Sequence, residues 1–232
     1  MCRVSSRAES WKKAKLMTMA ILNEREILRR MLVERDVVVT PIVDLATQLG
    51  PTSLDVRLGT RFQAQKRSAL AYIEPLQSPE DVRRDVAEYT QDYTVLPTEP
   101  YVLHPGEFAL ANTLEFIRLP ADLAVRLEGR SSWGRVGLQI HSTAGFVDPG
   151  FAGTITFELS NIGKVPIPLY PGLRVGQLSF YTSDESVIPY RAKRLTKYAG
   201  KITPVGSAFY QDPEYRYIRR QRERDGARRP TV

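Results

Sequence analysis

Cysteine and histidine are nearly missing from this chain: Cys2, His104 and His141 are all it has. A single cysteine excludes an intrachain disulfide framework. Three such residues are also too few for a structural zinc site, which takes four Cys or His ligands. No run approaches the roughly 18–20 apolar residues that a membrane span needs. Lys12, Lys13 and Lys15 precede an apolar stretch, but it breaks at Asn23-Glu24 without a small-residue cleavage site, so no signal peptide is predicted. Internal repeats are absent, as is any Gly-rich phosphate loop of the Walker or dinucleotide type. Hydrophobic residues make up 42% and charged residues 25% of the 232, the balance of a soluble globular protein, and a cytoplasmic location is expected.

Positive charge is in excess, at a net +7, but much of it is local. From Glu214 to Val232 seven arginines face Glu214, Glu223 and Asp225, a net +4, which leaves +3 for the rest. That pattern predicts a solvated basic tail over residues 212–232 rather than a nucleic-acid binder, with salt-sensitive DNA binding as the outcome that would revive the other reading. The modest excess on the body suits a small anionic substrate. Residues 1–20 have weak patterning and read as an extension outside a single domain over 21–211.

Within that domain Asn23 followed three residues later by Glu26 predicts a capped helix near 24–35, with Ile27, Leu28, Met31 and Leu32 as its apolar stripe and Glu24, Arg29, Arg30 and Glu34 turned away. Ser78-Pro-Glu-Asp81 starts a second helix, to about Tyr89. Most other segments alternate. Val37–Thr40, Thr52–Gly59, Arg61–Gln63, Ala69–Ile73 and, from Thr94 onward, many short runs between Gly/Pro turns read as strands of a sandwich or barrel. On the strand with Leu54, Val56 and Leu58 inward, Asp55 and Arg57 point outward, as a structural ion couple or as support for a site.

Chemistry concentrates in Gly129-Arg-Ser-Ser-Trp-Gly-Arg-Val-Gly137 and in the strand that ends on Glu158. The first has either exposed arginines on a turn or a phosphate cradle, in which hydroxyls, amides and guanidinium groups converge on oxygens. Alternation from Thr154 puts Ile155, Phe157 and Leu159 on the core face and Thr154, Thr156, Glu158 and Ser160 on the other. The carboxylate therefore stands on a hydroxyl-lined face. His141 is taken as a core or hydrogen-bonded histidine with no catalytic role.

These segments together resemble the dCTP deaminases of the trimeric dUTPase superfamily. The likeness rests on Gly129-Arg-Ser-Ser-x-x-Arg-x-Gly137, His141-Ser-Thr-Ala-Gly-Phe-x-Asp-Pro-Gly150, Glu158-Leu-Ser-Asn161, Pro171-Gly172 and Gly176-Gln-Leu178. The Ser53–Gly59 strand, His104-Pro-Gly-Glu107, Pro189-Tyr190 and Lys197-Tyr198 match as well, so it spans about Ile21 to Ser207. The resemblance implies an all-β fold with minor α, a distorted jelly roll or β-barrel of the dUTPase-like type with a short N-terminal helix, in a homotrimer with interfacial sites. It implies Glu158 as general base, with Ser131 and the Ala144 backbone positioning the water and Arg135 supporting them from a neighbouring subunit. Arg130, Ser131, Ser132, Trp133, Gly134 and Arg135, with Gln177, Tyr190 and Lys197, would hold the triphosphate and its Mg2+. Asp148 would meet the sugar or base, and Thr156, Phe157 and Glu158 would line the base pocket.

Zinc deaminases use an H-x-E and P-C-x-x-C signature, which a chain whose one cysteine is Cys2 does not contain. The expected reaction is zinc-independent deamination of dCTP to dUTP and ammonia, with dUTP as a further substrate, dTTP as an inhibitor and no membrane or nucleic-acid partner. Gly145-Phe146 stands where many deaminases have His-Arg and resembles the bifunctional branch that forms dUMP and pyrophosphate, the alternative product. Lys201 replaces the family's usual glutamine on the phosphates and offers a point charge of different geometry. A nucleotide-binding regulator without turnover is the third possibility.

Overall fold

The computed structural model describes residues 20–66, 68, 70–143, 145–184, 190, 197, 200–204 and 206–224. In chain order these form α1 (Glu24–Leu28), a π-helical turn (Arg29–Glu34), β1 (Val38–Thr40), α2 (Leu45–Gln48), β2 (Leu54–Gln65), α3 (Pro79–Tyr89), β3 (Thr90–Thr94) and β4 (Tyr101–Leu103). There follow β5 (Phe108–Thr113), β6 (Phe116–Arg118), β7 (Leu123–Gly129), the single turn α4 (Ser131–Gly134), β8 (Leu138–Gln139), β9 (Phe146–Val147) and β10 (Ala152–Gly153). The chain continues with β11 (Thr156–Asn161), β12 (Ile167–Leu169), β13 (Arg174–Thr182), a 3-10 turn (Phe209–Gln211) and α5 (Pro213–Arg224).

The expected mostly-β architecture with minor helix is what forms. Eight antiparallel strands run in the order β8-β11-β5-β2-β13-β7-β9, with β3 added along β2. Smaller sheets are β1-β6-β10 and β12-β4. The twelve-residue β2 joins the large sheet together: its first half pairs with β13 and its second half with β5 and β3. Such a long strand stays in register because Leu54, Val56, Leu58 and Phe62 are all buried, so a one-residue slip would turn Asp55 and Arg57 into the apolar core. Phe157, Leu159, Leu127, Leu178 and Phe180 complete that core from β11, β7 and β13.

Several expectations change. Ala69–Ile73 was expected as strand; its described residues lie in none. The first helix starts as predicted, with Asn23 Oδ1 accepting from Glu26 N at 3.0 Å, but after Leu28 it widens into the π-helical turn. Fewer degrees of rotation per residue turn the stripe. Leu32 ends up 57% exposed, while Arg30 is carried inward to 8% exposure, bonded to Asp36 and, through two nitrogens at 2.9 and 2.7 Å, to Asp122. Asp55 and Arg57 do not pair with each other. Both are buried by other elements, which supply their partners: Arg57 meets Glu115 at 3.2 Å, while Asp55 takes Arg130 and Arg174. The basic end is also not wholly tail. Its residues 213–224 form α5, tied to the body by Arg219 Nη1 donating to Gln77 O at 3.0 Å and by Arg222–Glu74 at 3.8 Å. Arginine is a good helix former, and Pro213 opens the helix in the first turn, where a missing N–H leaves no intrahelical bond unmade.

Candidate active site

β7 delivers the chain to Gly129, and the next residues wind the single turn α4. Arg130 N donates to Val175 O at 3.1 Å, and Trp133 Nε1 donates to Arg174 O at 3.0 Å, so β13 fixes both ends of the turn. The Arg130 guanidinium lies 3.2 Å from Asp55 Oδ2, which Arg174 Nη1 also contacts at 3.1 Å. Burial pushes the Asp55 carboxyl upward, and the facing arginines pull it back only in part. Gln177, next along β13, accepts from Ser53 Oγ at 3.3 Å and donates to Gly129 O at 3.5 Å. Ser131, Ser132, Gly134 and Arg135 are exposed at the tip. Gly137, at φ +92°, closes the segment: a Cβ there would stand 2.6 Å from Gly163 N, a backbone clash.

A second assembly surrounds Glu158. On β11 the predicted alternation holds, with Ile155, Phe157 and Leu159 buried and Thr156, Glu158 and Ser160 partly open. Ser142 N donates to Glu158 Oε2 at 2.9 Å, and Glu158 N donates to Ile140 O at 3.1 Å, so the loop after β8 holds both carboxylate and backbone. Glu158 lines a cavity of about 510 Å3 with Thr154, Thr156, Asp148, Tyr190 and Lys201. Lys201 O accepts from Thr154 N at 2.9 Å, and Tyr190 N donates to Pro149 O at 2.9 Å, which holds both residues at the wall. The remaining walls are mixed: Phe108, Leu110 and Ile155 are apolar, Gln63 and Gln65 come from β2, and Val86 and Tyr89 from α3. Such a mixture, largely apolar with a few converging polar groups, is what small-molecule sites present.

His141 also faces this cavity, with both ring nitrogens buried and without a hydrogen-bond partner among the described residues. Buried polar atoms are normally satisfied, so this imidazole has bonding capacity left for a ligand. Gly145 lies against it. A Cβ at that position would come within 2.9 Å of Leu127 O and 3.1 Å of His141 Cδ2, so a side chain there would require the local backbone to shift.

The predicted site residues thus fall into two groups within one chain. Glu158, Thr156, Asp148, Tyr190 and Lys201 share the cavity, whereas none of Arg130, Ser131, Ser132, Trp133, Gly134, Arg135 or Gln177 lines it. Phe157 does not line it either: the pleat turns its ring into the core at 0% exposure. Lys197 is bonded to Asp212 at 2.5 Å. Ala144 lies outside the described residues. Sequence patterning took His141 as a core or hydrogen-bonded side chain, whereas it faces the cavity, and it did not bring the β2 glutamines or the α3 wall to the cavity. The only signal for that wall was the serine-capped helix start, where Ser78 Oγ does accept from Asp81 N at 3.1 Å. Among the described residues no three or more His, Cys, Asp or Glu side chains are grouped to hold a metal ion, and no helix is long and apolar enough to cross a membrane.

Comparison with known proteins bears on both assemblies. A sequence model described as dCTP deaminase-like matches residues 21–183. A protein of Methanobrevibacter smithii named "dCTP deaminase, dUMP-forming" is 44% identical over 198 residues, covering 84% of this chain and 98% of its own. One of Thermomicrobium roseum named "dCTP deaminase" is 40% identical over 200 residues, covering 86% and 98%. The crystal structure of 2′-deoxycytidine 5′-triphosphate deaminase from Agrobacterium tumefaciens shares the fold, with a TM-score of 0.54 at 23% identity, over 72% of this chain and 49% of that one. With the family's pattern running through β2, the Gly129–Gly137 turn, the Glu158 strand and β13, this chain belongs to the dCTP deaminase-like family.

Proposed function

We propose that the protein deaminates dCTP and carries the product on to dUMP and pyrophosphate, with Glu158 as the general base. The observation that carries this is the setting of Glu158: a carboxylate fixed by Ser142 N–H, beside Thr156 and His141, in a cavity of nucleoside size. Glu158 takes a proton from water as the oxygen adds to the cytosine carbon that bears the amine. The same carboxyl then returns the proton to that nitrogen, the carbon–nitrogen bond breaks and ammonia leaves, while the remaining hydroxyl proton passes to ring nitrogen N3 to give the uracil carbonyl. Ionised Glu158 is required for the first step, and Arg135 is assigned to support it, with Ser131 and the Ala144 backbone holding the water.

Arg135 and Ser131 do not share the Glu158 cavity within one protomer, which supports a homotrimer whose sites join the Gly129–Arg135 turn of one subunit to the cavity of the next. In that arrangement Arg130, Ser132, Trp133, Gly134, Gln177, Tyr190, Lys197 and Lys201 meet the triphosphate, and Asp148 the sugar or base. The arginines, lysines and Gln177 offer N–H donors, which suit phosphate oxygens rather than a cation, so Mg2+ would be supplied with the triphosphate, whose charge it would help to neutralise. The reaction belongs in the cytoplasm, and dTTP fits the same pocket as an inhibitor.

The product order is the reverse of the leading sequence expectation. Relatives with 44% and 43% identity over more than four-fifths of the chain are named as dUMP-forming, and the Gly145-Phe146 pair resembles the same branch. Incubation of the pure protein with dCTP and Mg2+ tests both steps. Ammonia, dUMP and pyrophosphate are expected in equal amounts. Accumulating dUTP would restore deamination alone, and bound but unconverted dCTP would leave a regulator.

A further inference from the structure

We propose that Asp212 acts as a phosphate surrogate on Lys197, so that the C-terminal helix competes with the nucleotide triphosphate for that lysine. This rests on the assignment of Lys197 to the phosphates above. The contact itself is a short charge-assisted bond, Lys197 Nζ to Asp212 Oδ2 at 2.5 Å, between side chains only 24% and 29% exposed. An ammonium is a compact point charge with three donors and no acceptor. A carboxylate and a phosphate oxygen satisfy it in the same way, and two anions drawn to it at contact distance repel each other.

Asp212 is not an isolated surface residue. Its N–H donates to Phe209 O at 2.9 Å, closing the 3-10 turn, and its carbonyl accepts from Tyr215 N at 3.2 Å at the start of α5. The turn is held to α3 by Arg83 Nε donating to Tyr210 OH at 3.2 Å, with the guanidinium 5.3 Å from that ring. Farther on, Arg219 and Arg222 of α5 reach Gln77 O and Glu74, just before α3. On the other side of the turn, Gly206 and Ser207 line the Glu158 cavity together with Val86 and Tyr89 of α3. One stretch of chain therefore links the cavity wall, Asp212 and the basic helix, and all of it lies beyond residue 183, where the family match ends.

A triphosphate arriving at Lys197 displaces the Asp212 carboxylate, and the first turn of α5 loses one of its ties. Substrate affinity is thereby set partly by a segment outside the family's core, through binding and not through the chemical step.

Steady-state kinetics of the full chain with dCTP test this. Asp212→Asn keeps the side chain's shape and removes its charge; it is expected to lower KM roughly three- to tenfold while kcat stays within about twofold. Lys197→Met is expected to raise KM. In the unaltered protein, hydrogen exchange over residues 213–224 should speed up when a non-reactive dCTP analogue is added. An unchanged or raised KM for Asp212→Asn, with KM raised by Lys197→Met, overturns the surrogate role alone. If Lys197→Met leaves KM unchanged, the assignment of Lys197 to the phosphates fails, and the surrogate role fails with it. Thermal unfolding of both variants separates these outcomes from misfolding.

Discussion

Glu158 illustrates how much one side chain's role depends on its neighbours. Period-two alternation was enough to put it opposite Ile155, Phe157 and Leu159, because successive strand residues point to opposite faces. Alternation does not say what a face looks onto. That comes from Ser142 N–H on the carboxylate and from the walls supplied by β2 and α3. A Glu158→Gln variant keeps the size and the hydrogen bond but has no basic oxygen. It is expected to lose about 10²- to 10⁴-fold in ammonia release while still binding dCTP in a calorimeter. Retention of near-normal turnover would remove Glu158 from the proton-transfer role. The same alternation that located Glu158 removes Phe157 from the pocket, since its ring is in the core. A pleated strand does not turn two successive side chains to the same substrate.

At the scale of elements, the first helix shows local rules succeeding at its start and failing along its length. Its cap is an interaction between residues three apart and is legible in Asn23 and Glu26. Its π-helical turn brings Arg30 to Asp122, ninety-two residues away, a contact that no local pattern encodes. The hydrogen bond from Arg30 holds the Asp122 carboxyl below the usual carboxylate range. A depressed folded-state value means that the unfolded chain binds the proton more readily. The pair's stabilisation is therefore complete above the unfolded value, near about pH 4, and fades as pH falls through the folded one. Arg30→Met is expected to cost about 1–2 kcal/mol at pH 7, allowing for the 41% exposure of Asp122. Denaturant unfolding at a series of pH values would show that difference shrinking below about pH 4. A cost independent of pH would assign it to packing of the arginine stem.

The whole molecule poses the question of where an active site is completed. One protomer holds Glu158 in its cavity, while Ser131 and Arg135 stand on an exposed turn outside that cavity. Under the proposed trimer, each site takes Glu158 from one subunit and Arg135 from its neighbour. Glu158→Gln and Arg135→Ala proteins, each inactive alone, should then regain activity when co-expressed, toward about a quarter of the native level for random mixing in a cyclic trimer. Absence of any recovery in mixed oligomers would put both residues in one subunit's site.

Some of this protein was determined by sequence alone: the mostly-β character, the capped starts of α1 and α3, the face on which Glu158 stands and the Gly129–Gly137 motif. Each depends on residues a few positions apart, where backbone geometry fixes the relation between side chains. Tertiary structure decided the rest. It paired Asp55 with Arg130 and Arg174, brought His141, whose ring nitrogens have no partner among the described residues, into the Glu158 cavity, and built a helix from part of a basic tail. It also packed Gly145 against Leu127 O and His141 and bound Lys197 to Asp212. These are contacts between distant segments, set by how β2, β11, β13 and α3 pack, and burial there selects partners that composition and periodicity leave open.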